Sequence, residues 1–323
     1  MNYNKSTKLK YRILGVTIAL FMYLIFYCLH NLDNIYIYYL GDVKSLYEKA
    51  EMCYKEKDYV KARKLYTKLA RIDSASRCQY IIGDMFYQGK GGKINYKNAR
   101  KYFLKAAQGG NADAQNNLGY IYVHGKGVDI DYNEAKKWLR MAAAQGHTQA
   151  LVGLGGLYRN GWGVIKSLKE AFKLYRRAAA RGNTDAMNNL GYMHLFGYGT
   201  YTSSKEAIYW LQKSASQNNA IAQYNLAILW IEGHGYPKNI SKGAELLSFA
   251  AKQGLAGAQF NLGLMYLYGK GVEKNIVKAK DLFLQASTQG HKRATTYLSS
   301  INRNYDLNNI ETDSILDLKI IAR

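Results

Sequence analysis

The sequence predicts an all-α fold, a right-handed superhelical solenoid of helical hairpins preceded by one N-terminal transmembrane helix. A small residue recurs every 36 positions, and a Gly-x-Gly triplet recurs with the same step. A fixed period of this length is typical of stacked helical repeats. The members of the small column are Gly83, Gly119, Gly155, Gly191, Ala227 and Gly263. The third observation is an uncharged apolar run over residues 13–29.

One unit, Asn111–Gly146, explains the hairpin. Residues 112–123 carry apolar side chains at helical spacing, and Gly125 and Gly127 supply the backbone geometry that ends a helix. Asp131 then begins a second helix. The column that Asp131 belongs to contains only good N-cap residues. They are Asn95, Asp131, Ser167, Ser203, Asn239 and Asn275.

The pattern A-x-x-x-L-G-x-x-Y-x-x-G-x-G-V, followed by A-A-x-x-G, resembles the Sel1-like repeat, a relative of the tetratricopeptide repeat. The resemblance covers roughly residues 74–303. It implies a solenoid, and it implies a scaffold or adaptor for protein complexes, often in bacterial envelopes or at host–microbe contacts. We therefore expect a scaffold that binds a protein or peptide partner and has no catalytic activity of its own.

The N-terminal region predicts a membrane anchor. Residues 1–12 are basic and contain no acid, and residues 13–29 are long enough for a short membrane span. A cleaved signal peptide is the closest alternative, but bulky residues occupy the position where small ones precede cleavage. The positive flank predicts a single-pass protein with a cytoplasmic N-terminus and extracytoplasmic repeats, as in a bacterial inner membrane facing the periplasm.

The remaining chain divides by the repeat register. Residues 43–71 are expected to form a tetratricopeptide-like capping hairpin, because they lack the Gly-x-Gly loop. Six regular repeats follow over residues 75–290. Residues 291–323 are interpreted as a degenerate seventh repeat with an acidic tail, in which Thr312–Ile321 is compatible with a short closing helix.

A column of amides predicts the partner-binding groove. The column is the residue directly before the leucine of each repeat. In tetratricopeptide domains an asparagine at this position hydrogen-bonds the backbone of a bound peptide, since an amide offers a donor and an acceptor. The alternative is that asparagine is common at this turn without any role in binding, as Asn116 and Asn188 nearby suggest. The predicted partner-binding residues are Asn117, Asn189, Asn225 and Asn261, with the aromatic neighbours Tyr120, Tyr192, Tyr224 and Phe260.

The net charge is +22, and many of the lysines and arginines fall on the second helices, which predicts a basic face there. Such a face attracts an anionic lipid, a polysaccharide or an acidic partner, although a solvated helix surface rich in lysine explains the same pattern. We expect no nucleic acid as a partner, given the topology. The candidate residues are Arg100, Lys101, Lys136, Lys137, Arg140, Lys173, Arg176 and Arg177.

No motif predicts catalysis, a cofactor or a metal. The Gly-Lys-Gly loops superficially resemble phosphate-binding loops, but they lie between two helices rather than after a strand. The histidines have no metal-ligand spacing. A cysteine-rich branch of the resembled family includes proteins called β-lactamases, but its cysteine pairs are absent here, and Cys53 and Cys78 are expected to lie about 15 Å apart at 1.5 Å per helical residue. There are two alternatives to the scaffold. One is a secreted or surface factor that acts on a host, and the other is a β-lactamase-like enzyme of the cysteine-rich branch.

Overall fold

A computed structural model describes residues 42–72, 76–235, 237–302 and 320–321, together with Met22. These residues form fifteen helices and no strand. The predicted membrane span at residues 13–29 lies outside the described residues, except for Met22. Residues 1–12 also lie outside them. Within the described ranges, no helix has both the length and the apolar character needed to cross a bilayer.

The helices follow one another through short loops. They are α1 (42–55), α2 (Tyr59–Ile72), α3 (Ser76–Gln88), α4 (Tyr96–Gln108), α5 (Ala112–His124), α6 (Tyr132–Ala144), α7 (Thr148–Asn160), α8 (Leu168–Ala179), α9 (Thr184–Phe196), α10 (Ser204–Ala215), α11 (Ala220–Glu232), α12 (Ile240–Lys252), α13 (Ala256–Tyr268), α14 (Ile276–Thr288) and α15 (Lys292–Asn302). The chain is therefore an all-α helical-repeat solenoid, as the period predicted.

The chain divides into two compact units, Met1–Ala114 and Gln115–Arg323. The core of the first unit contains Tyr66, Ile82 and Met85. Cys53 and Cys78 are buried in the same core as free thiols.

The second unit repeats one hairpin, in which a first helix, a glycine loop and a second helix follow in order. Each second helix begins where the sequence placed an N-cap. Ser167 and Ser203 accept hydrogen bonds from the backbone N–H groups of Glu170 and Glu206, both at 3.2 Å. Side chains that satisfy these otherwise unpaired donors fix the start of the helix.

The two glycines of each loop have different roles. The first, for example Gly197 with φ of 70°, is the left-handed C-cap of the first helix. The second packs against the preceding repeat, because a Cβ added at Gly271 would lie 2.7 Å from Cγ2 of Ile240, which begins the second helix of the repeat before it. The Gly-x-Gly triplet is thus both a helix stop and a repeat-to-repeat contact.

The small column allows the two helices of one hairpin to approach closely. A Cβ added at Gly191 would lie 2.6 Å from Cγ of Leu211, and one added at Gly263 would lie 2.7 Å from the ring of Phe283. The two helices of a hairpin therefore cross at this column.

The C-terminal end departs from the sequence interpretation. Ile320 and Ile321 are not helical, so a closing helix does not extend over these two residues as predicted. The rest of residues 303–323 lies outside the described part. Ile321 instead contacts asparagines of α9 and α11, and this contact is the centre of the candidate site.

Candidate partner-binding surface

The predicted amide column lies on the first helices of the second unit. Asn189 belongs to α9, Asn225 to α11 and Asn261 to α13, and all three side chains are buried, with at most 1% of their surface exposed. Asn117 of α5 is half-buried. A buried amide loses its bonds to water and stabilises the fold only when protein groups replace them.

The Asn225 side chain forms hydrogen bonds with both backbone polar groups of Ile321. Oδ1 of Asn225 accepts a hydrogen bond of 2.8 Å from the N–H of Ile321, and Nδ2 of Asn225 donates one of 2.7 Å to its carbonyl oxygen. One amide side chain therefore pairs with both polar groups of a single peptide residue. The pairing is made with the chain's own backbone, and the binding of a partner at this column stays a prediction.

Asn188 completes this arrangement, although it stands one residue before the predicted column. Its Nδ2 donates to the Ile321 carbonyl oxygen at 3.3 Å, and its Oδ1 accepts from Asn225 Nδ2 at 2.8 Å. Asn188 thereby fixes the orientation of the Asn225 amide. Sequence reasoning missed this residue, and its only signal was its spacing of one repeat plus one residue from Asn225.

The amide of Asn261, the next member of the column, is hydrogen-bonded to another side chain of the protein. Nδ2 of Asn261 donates to the hydroxyl of Tyr224 at 3.2 Å, and Tyr224 itself is buried. The ring of Phe260 is fully buried against Phe283 and against His291, at centroid distances of 5.7 Å and 4.5 Å. Tyr224 and Phe260 therefore support the surface from beneath, whereas the sequence placed them on it.

The other two predicted aromatic residues reach solvent. Tyr120 is 45% exposed and stacks on His124, with ring centroids 3.9 Å apart. Tyr192 is half-buried in a cluster with Phe196 and Tyr198. Burial raises the pKa of Tyr192, so its hydroxyl stays neutral at physiological pH.

A cavity of about 300 Å³ opens between α5 and α7, and two glycines of α7 line it. Gly153 stands in the asparagine column, and Gly156 stands in the column that holds Tyr120 and Tyr192. The walls combine aromatic rings, a few apolar side chains and one guanidinium. They include Tyr120, His124, Val152, Leu157, Arg159 and Trp162.

The predicted basic residues divide into engaged and exposed cations. Lys136 Nζ donates to the Gly163 carbonyl at 2.9 Å, Lys137 pairs with Glu134 at 3.0 Å and Lys173 pairs with Glu170 at 2.7 Å. Arg140 donates to the Tyr158 hydroxyl at 3.3 Å. Exposed pairs of this kind contribute little to stability.

Three other predicted cations, Lys101, Arg176 and Arg177, are exposed, whereas Arg100 is half-buried. Arg176 and Arg177 lie side by side on α8 and make no ion pair with any described residue. They are two adjacent exposed cations on this second helix.

A second polar column, which the sequence reasoning overlooked, joins successive repeats. Asn219 caps α11 by accepting from the Ala222 N–H, and its Nδ2 donates to Asp185 Oδ1 at 3.0 Å in the preceding repeat. Asn183 does the same one repeat earlier, donating to Gln149 at 2.9 Å. The 36-residue spacing of Asn183 and Asn219 was the available signal. These contacts hold the first helices in register.

Within the described ranges, no group of three or more His, Cys, Asp or Glu side chains is placed to hold a metal ion. The surface thus offers amides, aromatic rings and a cavity. Such groups bind a polypeptide through its backbone and side chains.

The stack of hairpins defines an all-α helical-repeat protein. Within that class, the chain belongs to the Sel1 repeat family. The family model matches seven times, over residues 36–74, 76–111, 112–147, 148–183, 184–219, 220–255 and 256–291. The first match includes the segment that the sequence interpretation treated as a capping hairpin.

Solved structures support the same assignment. A Sel1 repeat protein from Oxalobacter formigenes is 30% identical with a TM-score of 0.67, and the match covers 75% of this chain and 96% of that one. A protective antigen of uropathogenic Escherichia coli with an SLR fold is 28% identical with a TM-score of 0.59, over 82% of this chain but only 58% of that one. Yeast Tom70, 15% identical with a TM-score of 0.51 over 85% of this chain and 56% of that one, shares the fold alone. Among curated proteins, no sequence matches this chain significantly.

Proposed function

We propose that this protein is a scaffold that binds an extended segment of a protein partner along its first helices. The observation that carries the proposal is the pair of hydrogen bonds between the Asn225 amide and the backbone of Ile321. Because every peptide residue except proline presents the same two groups, this amide suits any extended polypeptide. The Sel1 repeat resemblance, which implies adaptor roles, agrees with a binding function and assigns no catalysis.

The cavity between α5 and α7 supplies a place for a large side chain of the partner. Aromatic rings line it, and its volume of about 300 Å³ is at the lower end of the range for small-molecule sites, which begins near 300 Å³. An aromatic or long aliphatic side chain buried there would act as an anchor. In this proposal the amides hold the backbone of the partner and the cavity selects its sequence.

Photo-cross-linking tests the proposal directly. A photoreactive phenylalanine replaces Tyr120, at the cavity, or Tyr209, which is similarly exposed but lies on the second helix α10. We expect a partner to be captured from position 120 and not from position 209. Capture from position 209 alone would instead locate binding on the second helices.

A cavity-filling variant makes the same test specific. Gly156→Leu should remove the cross-link from position 120, whereas Gly156→Ala should retain it, because a Cβ at Gly156 meets no atom within 4 Å. Both variants should keep the helical circular dichroism of the parent. An unchanged cross-link in Gly156→Leu would contradict a role for the cavity.

We further propose that residues 13–29 anchor the scaffold in a membrane, with the repeats on the extracytoplasmic side. The support is the apolar run behind a basic N-terminal flank. A reporter enzyme that works only outside the cytoplasm should be active when it is fused after Leu40. Activity of a cytoplasm-only reporter at this position would contradict the orientation.

A second candidate function is a released or surface-exposed factor that acts on a host. The likeness to the protective antigen favours it, and the exposed Arg176 and Arg177 would suit an anionic host surface. Cell fractionation distinguishes the two candidates. An anchored scaffold remains with the membranes at full length, whereas a released factor appears in the medium.

A further inference from the structure

We propose that the Ile320–Ile321 segment is a built-in competitor, which occupies in cis the place where a partner's extended chain binds. The partner segment that fits this place carries two consecutive aliphatic residues. The inference rests on the proposed function, since it identifies one subsite of the same surface and the way in which access to it is controlled.

The hydrogen bonds are made to groups that any partner also has. The Ile321 N–H donates to Asn225, and the Ile321 carbonyl accepts from both Asn225 and Asn188. Neither Ile320 nor Ile321, the described residues of the tail, has a polar side chain. A segment from another protein can therefore replace Ile321 without the loss of a hydrogen bond.

The amides that make these bonds are buried while the tail is bound. With Ile320 and Ile321 in place, Asn188 and Asn225 each have 0% of their surface exposed. When the tail leaves, the Asn225 amide loses one donor and one acceptor at once, which is costly wherever water does not replace them. The site consequently favours being occupied, either by the tail or by a segment that replaces it.

Apolar contacts give the site its side-chain preference. Ile320 packs against the core cluster that contains Ile208, Leu226 and Leu229. Both Ile320 and Ile321 pack against the neighbouring cluster around Ile228 and Leu247, and both remain half-buried. Aliphatic side chains are thus matched at two successive positions, whereas a charge at either one would be placed against the core.

A contact of two residues is weak by itself, but the tail is tethered to the surface that it occupies. A tether raises the effective local concentration of a weak ligand to the millimolar range. A separate ligand then meets only the fraction of molecules whose site is open, and its apparent affinity falls in proportion to that fraction. A partner with high affinity for the site therefore displaces the tail, whereas a partner with low affinity does not.

The test uses a fluorescent peptide with the sequence of Thr312–Arg323 and measures its anisotropy with the full-length chain. The variant Ile320→Asp with Ile321→Asp removes the competitor in cis. We expect this variant to bind the peptide about ten-fold more tightly than the unmodified chain. Adding Asn188→Ala and Asn225→Ala to the same variant should abolish binding.

Two controls make the result specific. A peptide with aspartate in place of both isoleucines should not bind either chain. The single variant Ile321→Pro keeps an apolar side chain but lacks the N–H that Asn225 accepts, and it should also open the site, by less than the double variant. Circular dichroism checks that each variant retains its helices.

The outcomes separate this inference from the proposed function. Equal peptide affinity for the unmodified chain and the Ile320→Asp, Ile321→Asp variant would overturn the cis competition. No peptide binding to either chain would overturn the aliphatic subsite. In both cases a partner captured at position 120 would leave the scaffold function standing, whereas the loss of that capture alone would leave the tail contact intact.

Discussion

Asn225 makes three hydrogen bonds to distant parts of the chain. Its Nδ2 serves both Asn188 Oδ1 and the Ile321 carbonyl, and its Oδ1 serves the Ile321 N–H. The asymmetry of the amide is essential here, because two acceptors face Nδ2 and one donor faces Oδ1. A carboxylate of the same shape has no donor to offer.

This asymmetry leads to a stability prediction. Asn225→Asp should lower the free energy of unfolding by about 1–3 kcal/mol, because two buried acceptors then face a buried carboxylate. Asn117→Asp is the matched control, since Asn117 belongs to the same column but is only half-buried, and it should change stability much less. Urea unfolding measures both. Equal losses of stability in the two variants would show that the burial of the asparagine does not determine the effect.

His194 supplies a second residue-scale prediction. It is 4% exposed, and no described residue bonds its Nδ1. Burial lowers the pKa of His194 below its usual 6.5, although a hydrogen bond with the Tyr201 backbone opposes this change. The unfolded chain therefore takes up the proton more readily, so the stabilisation from neutral His194 is complete above pH 6.5 and declines as the pH falls below it.

The measurement is the free energy of unfolding between pH 7.5 and pH 5. The unmodified chain should lose more stability over this range than His194→Gln, which has no titrating group at this place. The comparison of the two slopes removes the contribution of the other histidines. Identical slopes would mean that His194 titrates alike in both states.

At the scale of single helices, α7 contains an internal comparison of two adjacent glycines. A Cβ at Gly155 would overlap the fully buried ring of Tyr175, whereas a Cβ at Gly156 meets nothing within 4 Å. Gly155→Ala should destabilise by about 1–3 kcal/mol through overpacking. Gly156→Ala should stabilise by about 0.5–1 kcal/mol, because alanine restricts the unfolded backbone. Thermal unfolding of the pair tests this, and effects of the same sign would contradict it.

The helices themselves were predictable because the period makes each position repeat. The loop glycines, the N-cap column from Asn95 to Asn275 and the small column around Gly191 each recur, so local chemistry was read several times over. Contacts within a repeat depend only on that local chemistry. The sequence interpretation was correct there for this reason.

The candidate site was predictable only in part, for two physical reasons. The column of Asn225 was found because it repeats, but the depth of Tyr224 and Phe260 depends on how neighbouring helices pack, which a single repeat does not encode. The contact of Ile321 joins residues 96 positions apart. No period points to it, and Asn188 was passed over because asparagine also stands at position 116.

At the scale of the whole molecule, stability is distributed along the chain. In the second unit the main packing partner of each helix is the helix before or after it, as for α7 with α8 and α13 with α14. The polar column at Asn183 and Asn219 adds contacts only between adjacent repeats. The tail at Ile321 is the exception, since it returns from beyond α15 to α9 and α11.

This distribution predicts how damage spreads. In a stack whose units touch mainly their neighbours, a local defect lowers the protection of nearby helices and leaves distant ones unchanged. Hydrogen exchange of Gly155→Ala should therefore accelerate in α7 and α8, extend weakly to α6 and α9, and remain at the parental rate in α13 and α14. Gly156→Ala serves as the control and should accelerate none of them. If exchange in α13 and α14 rises as much as in α7, the second unit unfolds as one cooperative body, and its repeats do not open independently.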